Sequence, residues 1–458
     1  MSTGTLSSGC SGCHQRDRCI HALETQVADL QQQLQTLRQQ LDELQRSRRR
    51  QTAPFRRRRR KAPPKKPGRP AGHAPAQRPP PDHVDVVHDV PLPDCPHCHG
   101  PLQEKTVPVQ YQTDIPPVRP VVTQFNLETG YCPHCHGRVQ GRHPQQTSDA
   151  VGAAANQLGP HVLALAAEMK HRLGVPYRQI TELLVSYWNL SVSPAALVRA
   201  CHRLARLTQP TYQALIMTLR GSAVVHGDST GWRIGGDNAW LWVFSAAPAT
   251  VYLVTPGRGH DVPAAVLGSA FDGVFVGDGA KEFEPLPYYQ ARCLGHILRR
   301  CRELQAIVSA ADAATLEAWI VLLRAAIDLG ERRATLPEPS YAQQVQGIED
   351  RLDQWLLAAA PPPGAEVERL IRHLCAHRGE WLVFLHEAGV PPTNNHAEQM
   401  LRPAVISRKI GGCNKTKAGA TTHSILSSIL VTAKRLGHSF VELAVGWFRN
   451  GEAAALPP

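Results

Sequence analysis

The six residues CPHCHG occur twice, at positions 95–100 and 132–137, and nothing else in the chain restricts its folding as much. Two C-x-x-C turns with 33 residues between them supply four thiolates, Cys95, Cys98, Cys132 and Cys135. That is the number and type of ligand a tetrahedral structural Zn²⁺ takes. The stretch between them, VPVQYQTDIPPVRPVVTQFNLETGY, alternates and is rich in β-branched residues, so it reads as strands. The prediction is a zinc ribbon over residues 91–145. His97, His99, His134 and His136 rank below the cysteines as ligands. A looser set within residues 1–19, Cys10, Cys13 and Cys19 with His14 or His21, reads equally as a second metal site or as three ordinary thiols. Twelve cysteines would suit a disulfide scaffold in a secreted chain, but MSTGTLSSGCSGCHQ has no basic region followed by an apolar core. Reduced, metal-binding thiols in the cytoplasm are therefore expected.

Upstream of the ribbon, Ile20, Leu23, Val27, Leu30, Leu34, Leu37, Leu41 and Leu44 follow steps of 3, 4, 3, 4, 3, 4, 3. This is a heptad seam, and it predicts a coiled coil over residues 20–46 that joins copies of the chain as a homodimer or higher oligomer. Residues 47–90 are dominated by Arg, Lys and Pro and bury too little apolar surface to fold alone. They read as a basic arm that binds phosphates, and Arg69 within Lys65-Lys66-Pro67-Gly68-Arg69-Pro70 suits a narrow minor groove. The whole chain carries +12 net charge over 458 residues, which favours a polyanionic partner, nucleic acid before membrane. No apolar run approaches the roughly 18 residues of a membrane span.

Residues 150–220 have helical patterning. A helix from Tyr177, a turn near Asn189 and a second helix with Pro194 at its first position give the outline of a helix-turn-helix. Any two-helix hairpin gives the same outline. Beyond Ser222 the period changes. AVVHGDSTGWRI, AWLWVFSA and TVYLVTP read as strands, a helix follows near 261–269, and GVFVGDG reads as a fourth strand. Asp228 and Asp278 each follow an apolar run, so neighbouring first and fourth strands bring both carboxylates to one edge. Each alone also suits a turn. Phosphodiester cleavage by two divalent ions about 4 Å apart needs oxygen ligands from a further acid. The candidate is Glu398 in PTNNHAEQMLRPAVISRKI, which otherwise fits a capping box with Asn395. Pro403 should end or kink the helix that begins there.

The stretches GDSTGWRIGGDNAWLWVFS, CLGHILRR and TNNHAEQMLRPAVISRKIGG, with the order of modules ahead of them, resemble the insertion-sequence-sixty-six family of DDE transposases over nearly the whole chain. The resemblance implies a multidomain α+β protein. An RNase-H-like α/β catalytic core would span residues 221–308 and 390–450 around a helical insertion at 309–389, preceded by the coiled coil, the zinc ribbon and a helical DNA-binding region. It implies that Asp228, Asp278 and Glu398 hold Mg²⁺ or Mn²⁺ and are catalytic. His296, Arg299, Arg402, Arg408 and Lys409 would then contact DNA. The implied partners are transposon ends, target DNA and accessory proteins of the same element. Four positions depart from the family's pattern: Ser229 stands for Glu, Phe283 for Tyr, Gly295 for Ala and Gln399 for Arg. None is a triad acid. The alternatives are a decayed transposase acting as a DNA-binding regulator, and an RNase-H-like nuclease without strand transfer.

Overall fold

The computed structural model describes residues 20, 23, 26–35, 79–104, 106–116, 118–154, 156–357, 364–454 and 456. Arg69 with residues 47–78 of the basic arm, Cys10, Cys13 and Cys19 lie outside them, as do Leu37, Leu41 and Leu44 of the heptad seam; Ile20, Leu23, Val27, Leu30 and Leu34 are helical and exposed. The chain divides into two compact units, Met1–Ile115 and Pro116–Pro458.

In the first unit, residues 95–98 form a tight turn closed by the Cys95 N–H donating to the Gly100 carbonyl at 3.0 Å. In the second unit the repeat closes a hairpin. Strand β1 (Thr129–Cys132) pairs antiparallel with β2 (Gly137–Gln140), with Cys132 opposite Gly137. His99 and His136 occupy the same place in their repeats and share a left-handed backbone, φ 56° and 52°. The expected strands before this hairpin do not form: the described residues among 106–128 have no regular structure, and Val107, Val121 and Val122 are more than 90% exposed. Pro108, Pro116 and Pro120 deny that segment the N–H donors of a ladder.

Four helices follow: α1 (Pro160–His171), α2 (Tyr177–Trp188), α3 (Pro194–Leu207) and α4 (Gln209–Arg220). Asn189 ends α2 in the left-handed conformation, and the Ser193 hydroxyl caps α3 by accepting from the Ala196 N–H. The sequence signals at both termini thus mark real boundaries. On α3, His202 Nδ1 lies 2.6 Å from the Thr422 hydroxyl while Arg199 is exposed, so the helix spends part of its polar face inside the molecule.

A five-stranded sheet comes next. It contains β3 (Val224–Ile234), β4 (Asp237–Ser245), β5 (Thr250–Thr255), β6 (Val274–Gly277) and β7 (Tyr289–Arg292) in the order β5-β4-β3-β6-β7. The first three run as an antiparallel meander, and β6 and β7 join parallel to β3. Helix α5 (Asp261–Leu267) makes the crossover. The reading from sequence stopped at four strands because YQAR, the text of β7, is short and carries no apolar run. Beyond β7 come α6 (Leu294–Leu304), α7 (Ala310–Glu331), α8 (Glu338–Leu357), α9 (Ala365–Ala376) and the single turn α10 (Val383–His386). The chain ends in α11 (Asn395–Gly411), α12 (Lys417–Arg435) and α13 (Phe440–Asn450).

Both faces of the sheet are buried, which explains its near-continuous apolar strands. Val225, Trp242, Phe244, Val251 and Phe275 pack with α1, α3, α4, α5, α12 and α13. On the opposite face Leu241, Val243 and Tyr252 meet Ala397, Leu401 and Ala404 of α11. Val274, Val276 and Ala291 meet α6 and the helices after it. Among the described residues no helix is long and apolar enough to cross a membrane.

Candidate active site

Strands β3 and β6 pair in parallel with Val224 opposite Val274, Val225 opposite Phe275 and His226 opposite Val276. Continued by two residues, that register sets Asp228 level with Asp278. Asp228 does not end its strand, as the sequence suggested; it sits inside β3, which runs on to Ile234 against β4. What ends before Asp228 is the pairing with β6, whose last pair is His226 opposite Val276. Asp278 follows the last residue of β6 and its Oδ1 accepts from the Ala280 N–H at 2.9 Å. The turn needs Gly279 (φ 81°), where a Cβ would lie 2.7 Å from Arg292 Nη1.

Glu398 arrives from 120 residues beyond Asp278 by a set of polar ties. The Leu294 N–H donates to the Pro392 carbonyl (2.9 Å), and fully buried Asn394 donates its Nδ2–H to the Gly227 carbonyl (2.8 Å). The same amide accepts from His226 Nδ1 through its Oδ1 at 3.1 Å. Asn394 precedes α11 as its cap residue, yet its side chain caps nothing; it fastens the helix start to the strand residue before Asp228. The other reading of this stretch, a capping box between Asn395 and Glu398, does not form. Glu398 instead turns toward His296 on α6, with Oε1 3.8 Å from Nε2. Helix α11 also passes through Pro403 rather than ending there. Its Ala397, Leu401 and Ala404 are packed on the sheet, and that packing outweighs the local cost of proline, about 3 kcal/mol.

The electrostatics report how close these groups are. Burial, and next the negative charge of Asp278, push the Asp228 carboxyl up to about 7; Glu398 adds to the rise, while the Ser229 N–H and His296 oppose it. His296 is held above its ordinary value by the Cys293 side chain first, and further by Asp278. Cys293 answers in kind: burial, the largest single effect, raises its thiol, but the His296 side chain and the Asn394 backbone together outweigh it and the net shift is downward. The result is three carboxyl groups and one imidazole gathered at one sheet edge.

Two residues missed by the sequence reading border this edge. Glu282, its side chain 4% exposed, receives Arg258 Nε at 2.5 Å and the Ser229 hydroxyl at 3.2 Å. The Arg258 guanidinium lies 4.4 Å over the Trp240 ring. Ser229 is adjacent to Asp228, so this ion pair, buried on its Glu282 side, braces the strand beside the carboxylates. The only trace in sequence was an acid four residues past Asp278, and charged residues are common in loops.

The predicted DNA-contacting side chains are placed as follows. Arg299 is exposed on α6, three residues past His296, and Arg402 and Lys409 are exposed on α11. Arg408 bonds the Gly231 carbonyl and approaches the Thr230 hydroxyl at 3.4 Å, along β3 beyond Asp228. In each knuckle the first thiol is drawn below its ordinary value by backbone N–H groups: Cys95 by His97 and then Cys98, Cys132 by Cys135 and then His134. Elsewhere, one group of His and Glu side chains, Glu284, His373 and His377, brings its ligand atoms within 4.8 Å of one another.

The model of the family described as "Transposase IS66 family" matches residues 156–422, more than half of the chain and all of the elements that build this edge. No curated protein matches the chain.

Proposed function

Because the chain belongs to the IS66 family of transposases, we propose that it cuts DNA at the ends of its element and joins them to target DNA, with Asp228, Asp278 and Glu398 as the catalytic acids. The observation that carries this reading is the Asp228 carboxyl at about 7, raised by burial and by Asp278, beside Glu398. Acidic groups gathered this closely fit a site that takes divalent metal, and their all-oxygen character suits Mg²⁺ or Mn²⁺. The strand order, with three antiparallel strands followed by two parallel ones and acids on the central pair, supports an RNase-H-like core.

With Mg²⁺ or Mn²⁺ bound, two ions would activate the attacking oxygen and stabilise the leaving oxygen of an in-line phosphodiester displacement. The chain's own residues do the rest. Asp228 releases its proton before it ligates, so its readiness rises through neutral pH. His296, held above its ordinary value by Cys293 and Asp278, sits against Glu398 and would meet a phosphate entering the site. Arg402, Arg408, Lys409 and Arg299 set positive charge along α11 and α6, where guanidinium forks suit phosphate oxygens. Asn394 holds Glu398 and the strand residue next to Asp228 in one frame. Each knuckle, Cys95 with Cys98 and Cys132 with Cys135, would offer two thiolates to structural Zn²⁺, and backbone N–H groups that draw the first thiol of each below its ordinary value support that reading. The basic arm around Arg69, the knuckles and a heptad-mediated oligomer would hold the element's ends.

The deciding experiment compares the wild type with Glu398→Gln on a labelled duplex carrying the element's ends, with Mg²⁺ or Mn²⁺. Cleavage should fall by at least about 100-fold in the variant while binding stays within about twofold. Binding without strand breakage by either protein would reject the nuclease reading and leave a DNA-binding regulator.

A further inference from the structure

The loop that follows Asp278 meets the far end of helix α9 at Glu284, His373 and His377, whose ligand atoms all lie within 4.8 Å of one another. The two histidines are four residues apart and share a helix face, with ring centroids 4.9 Å apart. His377 Nε2 is 3.6 Å from Glu284 Oε1, and its Nδ1 is 3.1 Å from Glu380 Oε1. Arg292, its side chain 3% exposed, reaches the same place: Nε to Glu380 at 2.5 Å, Nη2 to His377 Nδ1 at 2.8 Å, and Nη1 to Glu284 at 3.8 Å.

We propose that Glu284, His373 and His377 form a second cation site, separate from the three carboxylates, that takes a borderline transition metal such as Zn²⁺ and ties the loop after Asp278 to the insertion helix. Two imidazoles and one carboxylate are a three-ligand set that leaves zinc a fourth position for water. The same set disfavours Mg²⁺, which prefers oxygen donors. Tetrahedral zinc spaces its donors by roughly 3.3 Å, so side-chain rotation suffices to close the group. The charges agree. Two carboxyl groups, Glu284 and Glu380, meet the one guanidinium of Arg292 beside the two imidazoles.

An Arg292-centred ion-pair network is the competing account, and it explains Glu380 and His377 but not the place of His373 beside them. The guanidinium is already engaged by Glu380 and, through Nη1, by the Gly279 carbonyl at 3.2 Å. Two partners compete for His377 Nδ1. If Arg292 donates to it, the ring proton sits on Nε2 and faces Glu284. If Nδ1 donates to Glu380, the Nε2 lone pair faces Glu284 instead, which is the carboxylate–imidazole–metal arrangement that orients a ligand. Zinc binding selects the second tautomer and releases Arg292 Nη2 from the ring.

The test measures zinc bound per chain by atomic absorption. Full-length protein is stripped with chelator and equilibrated with Zn²⁺, for the wild type and for Glu284→Gln, His373→Gln and His377→Gln. Each variant is expected to retain one zinc fewer per chain than the wild type, with unchanged circular dichroism. The lost Co²⁺ absorption should lack thiolate charge-transfer bands, which separates this site from the cysteine knuckles. Glu380→Gln should keep the zinc but bind it about 10–100-fold more weakly. Equal zinc content in the wild type and all three variants would overturn the proposal.

Discussion

Asp228 shows what one residue surrenders for the site. Its carboxyl rises from an ordinary 3.8 to about 7 because burial and Asp278 disfavour its charge. The folded state therefore holds the proton more tightly than the unfolded chain. The stability this lends is complete below about pH 4 and is lost as pH climbs through 7. In chelator, unfolding free energy should fall across that window, and Asp228→Asn should remove the slope and stabilise the protein at pH 8 by about 1–3 kcal/mol. Denaturant melts at several pH values check this, and a flat wild-type profile would refute the repulsion. By the same linkage, affinity for Mn²⁺ should increase between pH 6 and 8 in the wild type, as measured by calorimetry. The three acids were legible in sequence because each follows an apolar run or sits in a distinctive motif. Asn394 and Glu282 were not, since their partners, Gly227 and Arg258, lie 167 and 24 residues away in the chain.

At the scale of elements, helix α12 closes the open edge of the sheet. Ser424, Ser428 and Thr432 accept from the N–H groups of Val254, Tyr252 and Thr250 at 3.0, 2.8 and 3.0 Å. The spacing works because four helical residues advance about 6.0 Å and two strand residues about 6.8 Å. A row of N–H donors that would otherwise template aggregation is thereby satisfied by a helix. Ser428 is fully buried, so Ser428→Ala leaves the Tyr252 N–H without an acceptor and should cost about 1–3 kcal/mol in thermal or urea unfolding. A change below about 0.5 kcal/mol would mean the ladder contributes little. Nothing in HSILSSILVTAK announces this role. The text reads as a helix with polar residues on one face, and a polar face ordinarily points to water. Pro403 misled in the opposite direction: the local rule predicted a break, and packing of Leu401 and Ala404 on the sheet overrode it. Helix ends at Asn189 and Ser193 were readable because their causes lie within a few residues.

At the scale of the whole second unit, the helices before the sheet belong to the same core as the sheet itself. Leu163 of α1, Leu204 of α3 and Leu215 and Leu219 of α4 share one buried cluster with Trp242, Phe244, Leu426 and Trp447. Polar contacts cross the same boundary: the Tyr212 hydroxyl donates to the Tyr252 carbonyl at 3.0 Å, and His171 Nδ1 lies 3.3 Å from His423 Nδ1. A fragment starting at residue 221 would expose the sheet face and the sides of α12 and α13 that these helices cover. Each large apolar side chain returned to water loses about 1.5–3 kcal/mol, and half a dozen of them, about 9–18 kcal/mol, match the 5–15 kcal/mol that holds a typical domain together. Residues 221–454 expressed alone should therefore be insoluble or lack a cooperative melt. Residues 156–454, which begin where the family match begins, should fold with a single sharp transition. A cooperative melt of the shorter fragment within a few degrees of the longer one would show that the helices dock on a core already complete, and would make them an independent module for DNA. The burial of Leu219, Trp242 and Phe244 to 0% exposure argues for the first outcome.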